Sequence, residues 1–165
     1  MTVCVLVGPP GAGKTTVGRL VAETLDVAFR DTDEDVEALA GKTIPDVFFE
    51  DGEAVFRAWE REAVVAALRD HDGVLALGGG AVADADTRAD LLGHNVVWLT
   101  VSLHDAAKRV GWGPGRPMLD LNPRAKLAEL MAARRAFYEE VATATVETTD
   151  RTPEDVAAEV VRALA

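Results

Sequence analysis

The segment from Gly8 to Thr15 constrains the fold of this chain more than any other feature. It reads Gly-Pro-Pro-Gly-Ala-Gly-Lys-Thr and so matches the pattern G-x-x-x-x-G-K-[ST]. A short apolar run at 3–7 precedes it, and a helical pattern follows it from Lys14. In that context the backbone N–H groups of the loop wrap a phosphate, and the helix directs its positive end at the same anion. At average residue usage, a chance match in a chain of this length occurs about once in a hundred sequences or less often. The segment therefore predicts a nucleotide-binding loop between a strand and a helix.

The residue types of this loop predict individual contacts. Lys14 is expected to reach the β- and γ-phosphates, and the Thr15 hydroxyl is expected to ligate Mg²⁺. The chain contains neither the N-K-x-D motif of small GTPases nor the L-S-G-G-Q signature of transport ATPases. We therefore favour a small-molecule phosphotransferase. The candidate nucleotide-binding residues of the loop are Gly11, Ala12, Gly13, Lys14, Thr15 and Thr16.

The length and the net charge of the chain limit its domain number and the classes of molecule that it can bind. The 165 residues fit one domain, spanning 1–165. With 17 Lys+Arg against 28 Asp+Glu, the net charge of −11 argues against nucleic acid or an anionic membrane surface as a partner. No apolar run approaches the roughly 18 residues that span a bilayer. Cys4 is the only cysteine, so no internal disulfide can form, which suits the reducing cytoplasm. We expect a cytoplasmic monomer that acts on a small molecule.

Short apolar runs alternate with longer helical patterns, which is typical of an α/β fold with a parallel sheet. A stretch rich in glycine and proline, 111–122, interrupts this alternation, and we interpret it as a lid. The predicted strands are 3–7, 27–31, 74–77, 95–101 and 144–147, and the predicted helices are 14–25, 33–39, 44–50, 53–69, 85–92, 103–110, 123–138 and 153–164.

Two sites could receive the phosphoryl acceptor. Asp31 and Asp33 end the second predicted strand, and residues two apart share a face of a strand. One carboxylate could hold Mg²⁺ and the other could deprotonate the acceptor hydroxyl, or both could form the N-terminal cluster of the next helix. The triplet Gly78, Gly79 and Gly80 follows the third predicted strand, at the edge where parallel sheets bind ligands. We favour ligand approach there over a simple tight turn.

Three arginines are candidates for anion binding. Arg134 lies within the apolar stripe of the helix after 111–122, so its guanidinium needs an anionic partner, either a substrate carboxylate or an acid of the core. Its neighbour Arg135 points toward solvent. Arg57 is flanked by glutamates at helical spacing and is equally well explained as a surface ion pair. Arg116 in the predicted lid could meet charge on the transferred phosphoryl group, or it could be a solvated loop residue.

Together these residues resemble the shikimate kinase family over nearly the whole chain. The joint pattern is more specific than the loop alone, because gluconate and nucleotide kinases lack the glycine triplet with this arrangement of arginines. The family often has a proline where this chain has Ala136. The motifs that carry the resemblance are the loop at 8–15, Asp31-Thr-Asp33, Gly52-Glu-x-x-Phe-Arg-x-x-Glu60, the triplet at 78–80, Arg116-Pro-Met-Leu119 and Arg134-x-x-x-Tyr138.

The resemblance implies a P-loop kinase fold, an α/β architecture with a five-stranded parallel sheet of order 2-3-1-4-5 flanked by helices. It implies a substrate-binding segment at about 32–61 and a lid at about 111–122. The implied reaction is ATP-dependent phosphorylation of the 3-hydroxyl of shikimate with Mg²⁺. A kinase for another small hydroxy-carboxylate, such as gluconate, and a non-catalytic nucleotide-binding module remain as alternatives.

The resemblance also implies a role for each candidate residue. Asp33 would be the base, and Asp31 would lie near Mg²⁺ with Thr15. Arg57 and Arg134 would bind the shikimate carboxylate, in a pocket that Gly78, Gly79 and Gly80 line. Lys14 and Arg116 would stabilise the transferring phosphate, and Arg109 and Pro153 would flank adenine.

Overall fold

The computed structural model describes residues 1–110 and 123–165. Its sheet is parallel, and the strand order β2-β3-β1-β4-β5 confirms the predicted order. The predicted lid, 111–122, lies outside the described residues. The strands are β1 (Cys4–Val7), β2 (Phe29–Asp31), β3 (Val74–Ala76), β4 (Val96–Thr100) and β5 (Ala144–Glu147).

Helices connect the strands and cover both faces of the sheet. A short 3-10 helix, Ala81–Ala83, follows the glycine triplet. Within the described residues, no helix is long and apolar enough to cross a membrane. The helices are α1 (Lys14–Leu25), α2 (Thr32–Ala40), α3 (Ile44–Asp51), α4 (Glu53–Asp70), α5 (Ala85–Asp90), α6 (Leu103–Val110), α7 (Pro123–Val141) and α8 (Pro153–Leu164).

Alternating side chains of β1 build the core on both sides of the sheet. Cys4 and Leu6 belong to one cluster, which contains residues of α1 and α8. Val5 and Val7 belong to the other, which contains residues of α4 and α7. Because successive side chains of a strand point to opposite faces, an all-apolar strand must be covered on both sides. The near-continuous apolar run at the start of the chain is therefore the centre of the sheet.

The segment between β2 and β3 forms its own small cluster. Val36 from α2, Val47 from α3, and Phe56 and Ala63 from α4 are buried together. This packing carries the helices of the predicted substrate-binding segment to the carboxyl edge of the sheet. Ligands of parallel sheets bind at that edge.

Most differences from the predicted boundaries are small and have local causes. The second strand begins at Phe29 rather than at Val27, because the Val27 N–H donates to the Ala22 carbonyl and completes the end of α1. Helix α2 begins at Thr32, because the Asp31 side chain accepts from the Asp33 N–H and caps it.

Candidate active site

The loop after β1 is shaped by glycines and anchored by its lysine. Gly11 and Gly13 have φ of 82° and 89°, a left-handed backbone that side chains disfavour. The Lys14 ammonium donates to the carbonyl oxygens of Gly8 at 2.7 Å and Pro9 at 3.1 Å, so it lies across the loop. The predicted residues from Gly11 to Thr16 all line one cavity of about 540 Å³. This arrangement presents backbone N–H groups, an ammonium and a hydroxyl to a single space.

The same cavity holds residues from four other parts of the chain. Asp31, Asp33 and Gly79 line one part of it, and Arg109 and Pro153 line it as well. Arg109 donates to the carbonyl oxygens of Gly11 at 3.2 Å and Thr148 at 3.0 Å, which ties the nucleotide loop to the segment after β5. The described nucleotide residues therefore share one space with Asp31, Asp33 and Gly79, whereas the predicted acceptor residues Arg57, Gly78, Gly80 and Arg134 do not line this cavity.

Asp31 caps a helix, as one of its two predicted roles requires, and also contacts the nucleotide loop. Its Oδ1 caps α2 by accepting from the Asp33 N–H at 2.9 Å. Its Oδ2 accepts from the Thr15 hydroxyl at 2.8 Å. A hydroxyl and a carboxylate oxygen thus face each other beside the nucleotide loop. Oxygen donors of this kind are the ligands that Mg²⁺ takes in phosphoryl-transfer sites, so these two residues fit the ion.

Asp33 is a carboxyl group in an unusual environment. Burial raises its pKa to about 7, and the neighbouring charges of Asp31 and Glu60 act in the same direction, while Lys14 opposes them. A carboxyl with a pKa near neutrality can both accept and hold a proton at physiological pH. Asp33 therefore has the properties of a general base.

The glycine triplet brings the acidic and basic groups to one place. A Cβ at Gly78 would lie 2.6 Å from Asp33 Oδ1 and 2.9 Å from Glu60 Oε2. A Cβ at Gly80 would lie 2.6 Å from Arg57 Nη1 and 2.8 Å from Arg134 Nη2. The two arginines come from α4 and α7, so the structure brings their guanidinium groups together over Gly80. Any side chain at either glycine would displace these groups.

Arg134 is a buried cation with a second guanidinium group, that of Arg57, beside it. The Arg134 side chain is buried, and burial together with the nearby Arg57 lowers its pKa. Arg57 is half-buried and pairs with Glu60 at 2.8 Å and with Glu53 at 3.5 Å. The exposed Arg135 instead pairs with Glu139 on the outside of α7. The space over Gly80 therefore favours a small ligand that carries a carboxylate.

Comparison with known proteins agrees with this geometry. The family model described as Shikimate kinase matches residues 10–165. The chain belongs to the shikimate kinase family. The shikimate kinase of Salinispora arenicola is 63% identical over 163 residues, which are 99% of this chain and 98% of that protein.

Solved structures agree as well. The shikimate kinase of Acinetobacter baumannii, solved in complex with shikimate, superposes with a TM-score of 0.93 at 38% identity, over 96% of this chain and 90% of that one. A gluconokinase of Sinorhizobium meliloti reaches a TM-score of 0.59 at 19% identity, over 98% of this chain and 90% of that one. The second comparison shows a shared fold alone, and the first favours the shikimate kinases over the gluconate alternative.

Glu60 is a site residue whose importance the sequence concealed. Its side chain is only 5% exposed, and burial raises its pKa, an effect that Arg57 opposes. The spacing of three residues from Arg57 suggested a pair on the surface of the helix. Only the packing of α4 against the glycine triplet shows that this pair faces inward in this shikimate kinase. Thr32 was also missed, and its hydroxyl accepts from the Gly78 N–H at 3.2 Å.

Two further polar residues of the nucleotide cavity were not predicted. Thr148 and Arg151 line it beside Pro153, and both lie after the fifth strand. Their polar, turn-rich segment gave no signal beyond that of an ordinary loop. Arg116, which was predicted to meet the transferred phosphate, lies outside the described residues.

Proposed function

We propose that this shikimate kinase family member transfers the γ-phosphoryl group of ATP to the 3-hydroxyl of shikimate, with Asp33 as the base and Arg57 and Arg134 as the carboxylate clamp. The observation that carries the proposal is the convergence of both guanidinium groups on Gly80, with Asp33 and Glu60 against Gly78 two residues away. A phosphate-binding loop shares a cavity with Asp33. A small acid with a ring hydroxyl fits this distribution of charge.

The clamp selects the acceptor by its charge. A carboxylate between Arg57 and Arg134 would offset their mutual repulsion and the burial of Arg134. Guanidinium groups recognise carboxylates through paired N–H···O bonds, which also orient the ligand. Support comes from the Acinetobacter baumannii relative, which was solved in complex with shikimate. Held in this way, the ring of the acceptor would present its hydroxyl to Asp33.

In the proposed step the acceptor hydroxyl gives its proton to the Asp33 carboxylate as its oxygen bonds to the γ-phosphorus. The bond from that phosphorus to the bridging oxygen of the β-phosphate breaks, and ADP leaves. The Lys14 ammonium, which lies across the loop, would stabilise negative charge on the transferred phosphoryl group. Arg116 stays a prediction for the same role, and Arg109 and Pro153 are proposed to flank adenine.

Thr15 and Asp31 are proposed to hold Mg²⁺ at the nucleotide loop. The ion, when bound, neutralises charge on the β- and γ-phosphates. The hydrogen bond from Thr15 to Asp31, 2.8 Å long, keeps a hydroxyl and a carboxylate oxygen on the same side of the loop.

The lone cysteine, Cys4, is buried and free, in keeping with the cytoplasmic location that we propose.

The substrate assignment is tested by a panel of acceptors with ATP and Mg²⁺. We expect turnover of ATP with shikimate and none above background with gluconate or a nucleoside monophosphate. A Lys14→Met variant purified in parallel controls for contaminating kinases. Equal turnover with gluconate would reassign the substrate. Nucleotide binding without turnover on any acceptor would instead favour the binding-module alternative.

The pH dependence tests the base. Because only ionised Asp33 can accept the proton, kcat/KM for shikimate should fall about tenfold per pH unit below pH 7 and level off above it. A steady-state series from about pH 5.5 to about pH 9 would show this, since an ordinary carboxyl titrates near 4. The affinity for nucleotide, measured at each pH, separates titration of ATP from that of the enzyme. A flat profile across this range would contradict the role of Asp33.

A further inference from the structure

Tyr138 is a buried residue that the proposed step does not use. It lies on α7 four residues after Arg134, so both side chains share one face of the helix. Its side chain is almost wholly enclosed, with 2% of the residue exposed. Its hydroxyl donates to the Gly79 carbonyl oxygen at 2.6 Å. Helix α7 is thereby joined to the middle of the glycine triplet.

The same hydroxyl also interacts with the clamp. The Arg134 guanidinium lies close enough to the Tyr138 hydroxyl that each group affects the pKa of the other. Burial raises the pKa of Tyr138 to about 12, so the phenol keeps its proton at physiological pH. That single proton is given to Gly79, so the lone pairs of the phenolic oxygen stay available to the neighbouring Arg134 guanidinium. One hydroxyl therefore connects a clamp arginine with the backbone that the clamp covers.

The ring of Tyr138 is held from the opposite side by the sheet. It stacks on Trp98 of β4, with ring centroids 5.8 Å apart and planes inclined by 26°. Trp98 pairs in register with Val7, the last residue before the nucleotide loop. The position of the hydroxyl is thus set by the central strands, not by α7 alone.

We propose that Tyr138 is a positioning residue for the acceptor site, and that its hydroxyl holds Arg134 and the Gly78–Gly80 backbone in the geometry that receives the substrate carboxylate. This inference rests on the proposed function. The two ends of the triplet contact Asp33 and Arg57, so movement of Gly79 would disturb the base and the clamp together. In this proposal Tyr138 acts through these groups.

Tyr138→Phe removes the hydroxyl and keeps the ring that stacks on Trp98. We expect KM for shikimate to rise about tenfold, because the Gly79 carbonyl loses its buried donor and Arg134 loses a polar neighbour. KM for ATP should stay within about twofold, since no atom of the nucleotide loop is changed. In an Arg134→Ala background the same substitution should change KM for shikimate less than in the wild type, because one of the two groups through which it acts is already absent.

Phe137→Leu is the matched control. Phe137 is the preceding residue, lies partly buried under the Arg88 guanidinium at 4.2 Å from the ring centroid, and has no hydroxyl. It should lower thermal stability without altering the ratio of the two KM values. The inference is overturned if Tyr138→Phe leaves that ratio unchanged, or shifts it only as much as Phe137→Leu does. It is also overturned if the effects of Tyr138→Phe and Arg134→Ala simply add.

A readout without substrate separates this inference from the proposed function. The side-chain N–H signals of Arg134 in a ¹⁵N spectrum can be assigned by their loss in Arg134→Ala. They should shift in Tyr138→Phe and stay in place in Phe137→Leu. Unmoved signals would overturn the inference even if shikimate is the substrate. Failure of the wild-type enzyme to phosphorylate shikimate would contradict the proposed function and leave this result standing.

Discussion

Replacing Asp33 by asparagine is expected to lower kcat with shikimate by about 10²- to 10⁴-fold, the usual contribution of general-base assistance. The amide keeps the shape of the carboxyl group but cannot accept the acceptor proton. Affinity for ATP should persist, because the loop from Gly8 to Thr15 is unchanged. Steady-state kinetics together with an equilibrium titration of nucleotide would check both expectations. A non-catalytic module would bind ATP equally well before and after the substitution and would show no turnover in either form.

The stability of Asp33→Asn shows whether a loss of activity comes from unfolding. A carboxyl whose folded-state pKa is about 7, well above its ordinary value, destabilises the fold when it ionises. This penalty is absent below the unfolded-state pKa of the carboxyl group. It grows as pH rises from there and reaches its full size above the folded-state pKa of about 7. The asparagine variant should therefore melt at a higher temperature than the wild type at pH 8, with the difference vanishing toward about pH 4. A lower melting temperature at pH 8 would show that the carboxylate is not buried as described.

Asp35→Asn provides a charge-matched control for the base. Asp35 lies on the same helix, α2, where it pairs with Arg30 at 2.7 Å. Removing this carboxylate changes the net charge by the same amount without touching the cavity. We expect kcat to stay within about twofold of the wild type, because this partly exposed ion pair acts on its immediate partners and lies outside the cavity. A large loss in this variant would mean that charge in general, not proton transfer, controls the rate.

Replacing Arg134 by alanine is expected to raise KM for shikimate by about 30- to 1000-fold, which corresponds to about 2–4 kcal/mol for losing one side of a charged, hydrogen-bonded contact. The effect on kcat should be smaller, because Asp33 and the nucleotide loop are not altered. KM for ATP should be nearly unchanged. The fold should persist, since the burial penalty of the guanidinium is removed with the side chain. Steady-state kinetics with each substrate varied in turn would measure the separate effects on KM for shikimate, KM for ATP and kcat.

Arg135→Ala is the control for the clamp, as the adjacent residue of the same type. Its side chain is 72% exposed and pairs with Glu139 one turn further along α7. We expect both KM values to stay within about twofold, because exposed ion pairs of this spacing contribute only about 0.3–0.5 kcal/mol. Equal effects of the two substitutions would contradict the carboxylate assignment. An unchanged KM for shikimate in Arg134→Ala would contradict it as well.

Short-range patterns in the sequence were sufficient to predict the strands and several residues of the candidate site. The strands could be located because strands covered on both faces consist of apolar residues, as in Cys4–Val7. Arg134 could be assigned to the inner face of its helix because helical periodicity puts it among apolar residues, and the structure buries it. The sequence left Asp31 with two possible roles; the structure shows the helix cap, and the role beside Mg²⁺ stays a prediction. Its two carboxylate oxygens face different partners, Asp33 and Thr15.

Arg57 and Tyr138 show where local patterns stop. Arg57 has glutamates three and four residues away, a pattern that surface and buried pairs share. Nothing in the residues near Tyr138 indicates that its hydroxyl reaches Gly79, because that contact joins positions 59 apart in the chain. Such contacts depend on which strands are neighbours in the sheet and on how far each helix extends beyond it.

By itself the sequence determined the nucleotide loop, the parallel α/β fold and the family, because loop chemistry, residue periodicity and shared motifs are written in short stretches of chain. Local patterns could not place Arg57 and Arg134 together; the family resemblance implied it, and the tertiary structure shows that they meet over Gly80 and that Glu60 faces inward. The physical reason is that helical periodicity determines only the direction of a side chain relative to the axis of its own helix. Whether side chains of two helices meet depends on where those helices lie in the fold. The strand order of the sheet brings α4, α7 and the end of β3 to one edge.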